Sequence, residues 1–141
     1  MADVNVSLRT WLIAQSGVNA LIGSGSSARC YPDVLDQAAT LPAILYYTVS
    51  STHDHLLRGL AGLVHDRVRF ECYAVTRSGA NALAQACISA GLIDLRGLYT
   101  SVYISAVELE SGLVCYQDPP TDGNKVPRYF TSFDLTVHYK G

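Results

Sequence analysis

Residues 66–93 read DRVRFECYAVTRSGANALAQACISAGLI, and the fold turns on how they are read. Val68, Phe70, Cys72 and Ala74 alternate with Arg67, Arg69, Glu71 and Tyr73. A period of two sends apolar side chains to one face of a sheet and charge to the other. Ser78 stands where an N-cap belongs, its hydroxyl able to accept from an unpaired N–H of a helix's first turn. Ala80, Leu83, Ala84, Cys87 and Ile88 then recur at helical spacing, and Gly91 suits the left-handed residue that closes a helix. The small residues on that stripe let the helix lie close to the strand. Strand and helix thus read as one packed unit that the other strands extend.

Upstream, Val4, Leu8, Trp11, Leu12 and Gln15 recur at three- and four-residue intervals and predict a helix over about 4–15, anchored on the sheet by Trp11. Val18–Ile22 adds a turn before Gly23-Ser24-Gly25-Ser26-Ser27 interrupts the pattern. No Gly-Lys-Ser/Thr follows that loop, so it reads as a connector rather than a phosphate cradle. Cys30-Tyr31-Pro32 is a short extended piece, and Leu41-Pro42 opens a strand over 43–51, AILYYTVSS. Residues 52–65, THDHLLRGLAGLVH, form a long connection for a hairpin. Leu56, Leu57, Leu60 and Leu63 are too many for a loop that only needs to be soluble. They either fold back as a helical turn or meet a partner.

Downstream, 98–110 is a third strand, LYTSVYISAVELE, whose apolar parity changes between Val102-Ile104-Ala106 and Val107-Leu109. A bulge near Ala106 would reconcile the two halves. Residues 111–127 form a long excursion, with turn signals at Gly112, Pro119-Pro120, Asp122-Gly123-Asn124 and Pro127. The last strand, 128–140, alternates almost without a break. The expected class is α+β: a two-layer sandwich, a mainly antiparallel sheet of about four strands against helices, in the order α-β-β-α-β-β.

A chain of 141 residues suits a single domain. With 49% hydrophobic and only 16% charged residues, it has little formal charge to spread over a free surface, a shortage that assembly relieves. The net charge of −2 and the lack of a basic run argue against a phosphate-binding surface. The opening MADVNVSLRT has no basic segment leading into an apolar one, so no secretory signal is expected, and no apolar run is long enough to span a bilayer. Cys30, Cys72, Cys87 and Cys115 lie far apart with no CxxC pair, which reads as free thiols.

The segments LPAILYYTVSS (41–51), RVRFECYAVTRSGANALAQACISAG (67–91) and RYFTSFDLTVHYKG (128–141) resemble the tail terminator, or tail-completion, family of long-tailed bacteriophages. That family has a leading helix and a Leu-Pro-led strand, then an arginine-led alternating strand running into an alanine-rich helix. It closes on a strand that Phe133-Asp134-Leu135 matches. The resemblance covers almost the whole chain and rests on hydrophobic positions rather than on a catalytic signature. It implies a structural subunit of a homo-oligomeric ring, typically a hexamer, that caps the tail tube, stops its growth and offers a joining surface to the head-side connector. The implied place is the head-proximal end of the tail in the virion, after assembly in the host cytoplasm. DNA would only pass through the channel. Competing readings are a head-completion or stopper protein of the neck and a small non-viral α+β ligand-binding domain.

Chemistry is thinly represented. His53-Asp54-His55 offers metal donors, but a closed zinc site needs four ligands and nothing nearby completes it. Cys72 falls on the core face, where a thiol is inert. Asp33 with Asp36, or Glu108 with Glu110, could pair as acid and base, but no pocket is marked around either pair. Neither enzyme activity nor a cofactor is expected. Interface residues are the better candidates: Leu56, Leu57, Arg58, Leu60 and Leu63 in the first long connection, and Tyr116, Asp118 and Lys125 in the second. Arg67, Arg69 and Glu71 on one strand and Asp134, His138 and Lys140 on another lie opposite the apolar faces and form a charged face. If the strands are neighbours, that face carries cross-strand pairs and is either solvated or used by ring neighbours and the tube.

Overall fold

A computed structural model of the chain describes residues 4–35, 40–56, 59–99, 102–118 and 128–140, with the backbone alone for 55, 56, 59–61 and 118. In chain order the elements are α1 (Val4–Ile13), α2 (Ser16–Ile22), β1 (Cys30–Pro32), β2 (Ala43–Leu56), β3 (Gly59–Ala74), α3 (Arg77–Ser89), β4 (Gly97–Tyr99), β5 (Val102–Asp118) and β6 (Arg128–Lys140). Single 3-10 turns at Gly25–Ser27 and Leu92–Asp94 join them. The strands form one six-stranded sheet in the order β1-β2-β3-β6-β5-β4. Every described pairing is antiparallel except β1 with β2.

The organising stretch folds as its alternation demands. Val68, Phe70 and Cys72 are buried, as are Ala80, Leu83, Ala84 and Cys87 on the facing side of α3. Phe70 stacks on Phe133 across the β3–β6 pair, with ring centroids 5.4 Å apart, and touches Tyr46 of β2 at 6.1 Å. Burying a side chain of that size stabilises the fold by roughly 1.5–3 kcal/mol. The close approach of α3 depends on Gly79, where a Cβ would lie 2.9 Å from Thr76 Oγ1 and 3.1 Å from the Ala74 Cβ. The N-cap is Thr76 rather than Ser78: its Oγ1 accepts from the Gly79 N–H at 3.0 Å. The chain turns out of β3 sooner than the position of Ser78 suggests. Gly91, at φ 106°, does mark the end of α3 as expected.

The expected four-stranded sandwich in the order α-β-β-α-β-β does not form. Strands make up more than half of the described residues, and the sheet curls into a half-barrel accompanied by three helices. α1 shows how the hollow is filled. Asn5 Nδ2 donates to Thr48 Oγ1 on β2 at 2.9 Å, Arg9 Nε to the Cys30 carbonyl on β1 at 2.9 Å, and Ser7 Oγ to the Tyr99 carbonyl on β4 at 3.0 Å. One helix thus reaches both edges of the sheet, which only a curled sheet allows. Short edge strands β1 and β4 complete the curl. The second of these is a separate strand, not the start of the 98–110 strand that the sequence suggests.

Two stretches expected as connections are strand. β2 and β3 pair from Ala43↔Tyr73 out to Leu56↔Gly59, so the described part of 52–65 is the end of a long hairpin rather than a helical turn. Its pairing slips between Thr48 and Ser50 and between His53 and His55, and these irregularities erase the alternation a reader looks for. β5 likewise runs on to Asp118, through register shifts at Ile104/Ala106, Leu109/Ser111 and Ser111/Val114. The first shift places the bulge expected near Ala106. Of the expected excursion over 111–127, only 119–127 lies outside the described residues.

A charged and aromatic sheet face as candidate functional site

Helices cover the inner face of the sheet; the opposite face collects the polar residues of β2, β3, β6 and β5. The β3–β6 register sets Arg69 directly across from Asp134. Arg69 Nε donates to Asp134 Oδ1 at 2.7 Å and its Nη2 to Oδ2 at 3.1 Å, while Arg67 Nε donates to Oδ2 at 2.8 Å. Ser111 Oγ on β5 accepts from the Asp134 backbone N–H at 3.2 Å. Asp134 is only 1% exposed, yet both of its guanidinium partners reach solvent. The hydrogen bonds from Arg69 hold its carboxyl below the usual 3.8; burial opposes that shift, and Arg67 reinforces it. The pairing also raises the pKa of Arg69, through Asp134 first and then Tyr47.

Beside this cluster an aromatic row crosses three strands. Tyr73 on β3 stacks on Phe130 of β6 at 5.0 Å, and Phe130 on Tyr116 of β5 at 5.3 Å. The Arg128 guanidinium lies 4.9 Å from the centre of the Tyr73 ring, a cation–π contact that closes the row. Between row and cluster is an open cleft of about 400 Å³ lined by Arg67, Arg69, Glu71, Val114, Tyr116 and Asp134, among others. At the other end of the face, His65 Nε2 lies 3.0 Å from Asp54 Oδ1 and His138 Nε2 lies 3.2 Å from Glu108 Oε1. The two rings meet edge to face, with centroids 4.7 Å apart.

The structure therefore brings together Arg67, Arg69, Glu71, Tyr116 and Asp134 from the candidate list. Leu63 stands apart at the base of the β2–β3 hairpin, opposite Lys140. Leu57, Arg58 and Lys125 lie outside the described residues, and Leu56, Leu60 and Asp118 are placed by backbone only. Sequence reasoning missed the aromatic row and the histidine pair. Both follow once Arg69 is set against Asp134, since the same register puts Tyr73 beside Phe130 and His65 beside His138. Asp54 faces His65, and among the described residues no group of three or more donors is arranged to hold a metal.

The inner face has its own polar atoms. Asp66, 6% exposed, accepts from Ser51 Oγ at 2.5 Å and from the Tyr139 hydroxyl at 2.9 Å. Thr131 Oγ1 meets Asn81 Oδ1 of α3 at 2.7 Å. The thiols of Cys30, Cys72 and Cys87 are buried, and Cys115 is partly so; all four are free. Burial pushes Cys30 up to about 12, although Arg9 counteracts it. Cys72 is raised by its hydrogen bond with Cys87 and by burial. Such thiols stay protonated and unreactive at neutral pH.

No protein-family model and no curated protein matches the chain. Among solved structures, a chain from "Virion of native gene transfer agent (GTA) particle" superposes with a TM-score of 0.59 at 13% identity, over 98% of this chain and 95% of that one. The likeness is one of fold, and it extends over nearly the full length of both chains.

Proposed function

We propose that this chain is a structural component of a phage-like virion, and within that class a tail terminator. It would close into a ring, cap the tail tube and present its other side to the head-side connector. The observation that carries the reading is the near-full-length likeness of fold to a chain of a virion particle, taken with the segment resemblance in the sequence. The surface supports it. Leu98 and Tyr103, cross-strand partners on β4 and β5, are 71% and 54% exposed, and Val114 and Tyr116 further along β5 are 46% and 51% exposed. Apolar groups concentrated along one edge of a sheet suit burial against a neighbour. A head-to-tail ring satisfies each such edge and leaves no open end, so the assembly stays finite. The proposed role is structural rather than catalytic.

The test is to add purified protein to growing tail tubes and measure tube lengths by electron microscopy. Shortened tubes with protein at one end only are expected. Tubes that grow unchecked while the protein binds a portal or connector instead would replace the terminator with a neck protein.

A further inference from the structure

The sheet narrows where two imidazoles meet. β6 pairs with β3 as far as Leu63↔Lys140, and beyond that point β3 continues to Gly59 with β2 as its described neighbour, so the hairpin projects as an arm. His65 and His138 face one another at the root of that arm. Each Nε2 contacts a carboxylate, Asp54 on β2 or Glu108 on β5, and an ionised carboxylate can only accept. Both Nε2 atoms therefore carry hydrogen. The two Nδ1 atoms lie within hydrogen-bonding distance of one another, where two bare lone pairs would repel and a hydrogen between them binds. Two neutral imidazoles supply two N–H groups. One neutral ring and one imidazolium supply three, and two imidazolium rings supply four, setting N–H against N–H.

We propose that His65 and His138 share one added proton between their Nδ1 atoms, flanked by Asp54 and Glu108, and that this proton clamps the root of the β2–β3 arm. The clamp is firmest with one added proton and loosens in both more acidic and more basic solution. Among the described residues, the charged groups near the pair fit the count. Asp54 and Glu108 give −2, and the shared proton brings the row to −1. Arg67 on β3 is committed to Asp134, Glu110 on β5 accepts from Thr136 Oγ1 at 2.7 Å, and Lys140 lies at the exposed end of β6. A metal cation is the other species two facing lone pairs could hold, but no third donor is placed for one among the described residues. The device belongs to the chain itself and does not depend on the virion role.

The experiment uses the full chain with 15N-labelled histidine, from about pH 5 to about pH 9, the range in which imidazoles change charge. A scalar coupling across the Nδ1–H···Nδ1 bond is expected in a middle window and absent on either side. In that window the protection factors of the arm amides of Thr52, His53 and Val64, with the intrinsic pH dependence of exchange divided out, should be roughly threefold to tenfold higher than outside it. His138→Phe keeps a ring against His65 but removes both nitrogens, so its arm should exchange without a protection maximum. A folded wild type with no coupling at any pH overturns the proposal, as does a His138→Phe profile that matches the wild type. Stoichiometric zinc that shifts both Nδ1 resonances would also overturn it, by making the gap a cation site.

Discussion

The two faces of the sheet are built on the same strands and held by different physics. On the inner face Phe70, Phe133, Leu135 and Val137 are each no more than 1% exposed and pack beneath α3, so that face is specified by shape and by exclusion of water. On the outer face Arg67, Arg69, Asp134 and the Tyr73–Phe130–Tyr116 row are specified by partners. An inner residue depends on its volume; an outer residue depends on which strand lies beside it. Substitutions on the two faces should therefore fail in different ways.

The largest expected effect is on the inner face. Phe70→Ala leaves a cavity between Phe133 and Tyr46 and should cost about 3–5 kcal/mol. Urea denaturation checks this, and an unchanged midpoint would mean that the faces of β3 are assigned backwards.

Asp134→Asn comes next. It weakens three hydrogen bonds from guanidinium groups, but both arginines can turn to water, so about 1–3 kcal/mol is expected rather than the penalty of a stranded buried charge. Its pH signature separates it from a packing defect. The folded carboxyl titrates below 3.8, so the unfolded chain takes up its proton first as pH falls. The stabilisation is fully present above 3.8 and is lost as pH drops through the lower folded value. Denaturation midpoints measured across that acid range should converge for wild type and Asp134→Asn. A constant gap down to the lowest pH would show that the pairing contributes nothing.

The difference between the faces also explains what could be read in advance. The inner face of β3, α3 and β6 was legible because hydrophobic periodicity is a local property of the chain. Arg67, Arg69 and Asp134 were legible as a charged face, but their pairing required knowing that β3 and β6 are neighbours. The ends of β2, β3 and β5 were not legible. Gly62 at φ 82° and the register slips at His53/His55, Leu109/Ser111 and Ser111/Val114 break the two-residue period, while cross-strand hydrogen bonds continue the ladder regardless. The strand count failed for the same reason: three-residue strands such as β1 and β4 carry too little pattern to be counted.

The smallest effect sharpens the junction between the faces. Thr76→Ala removes the oxygen that caps α3 and should cost about 1 kcal/mol, whereas Ser78→Ala should change stability by less than about 0.5 kcal/mol. Equal losses in thermal melts would put the cap back at Ser78.

The central claim is that the apolar β4–β5 edge is an assembly surface. Molar mass by light scattering over a concentration series tests it most directly. A closed ring predicts a plateau at a fixed multiple of 15.2 kDa that rises no further with concentration. Val114→Ser combined with Tyr116→Ser should lower that plateau in a protein that still folds. A wild-type mass of 15.2 kDa at every concentration would contradict the account.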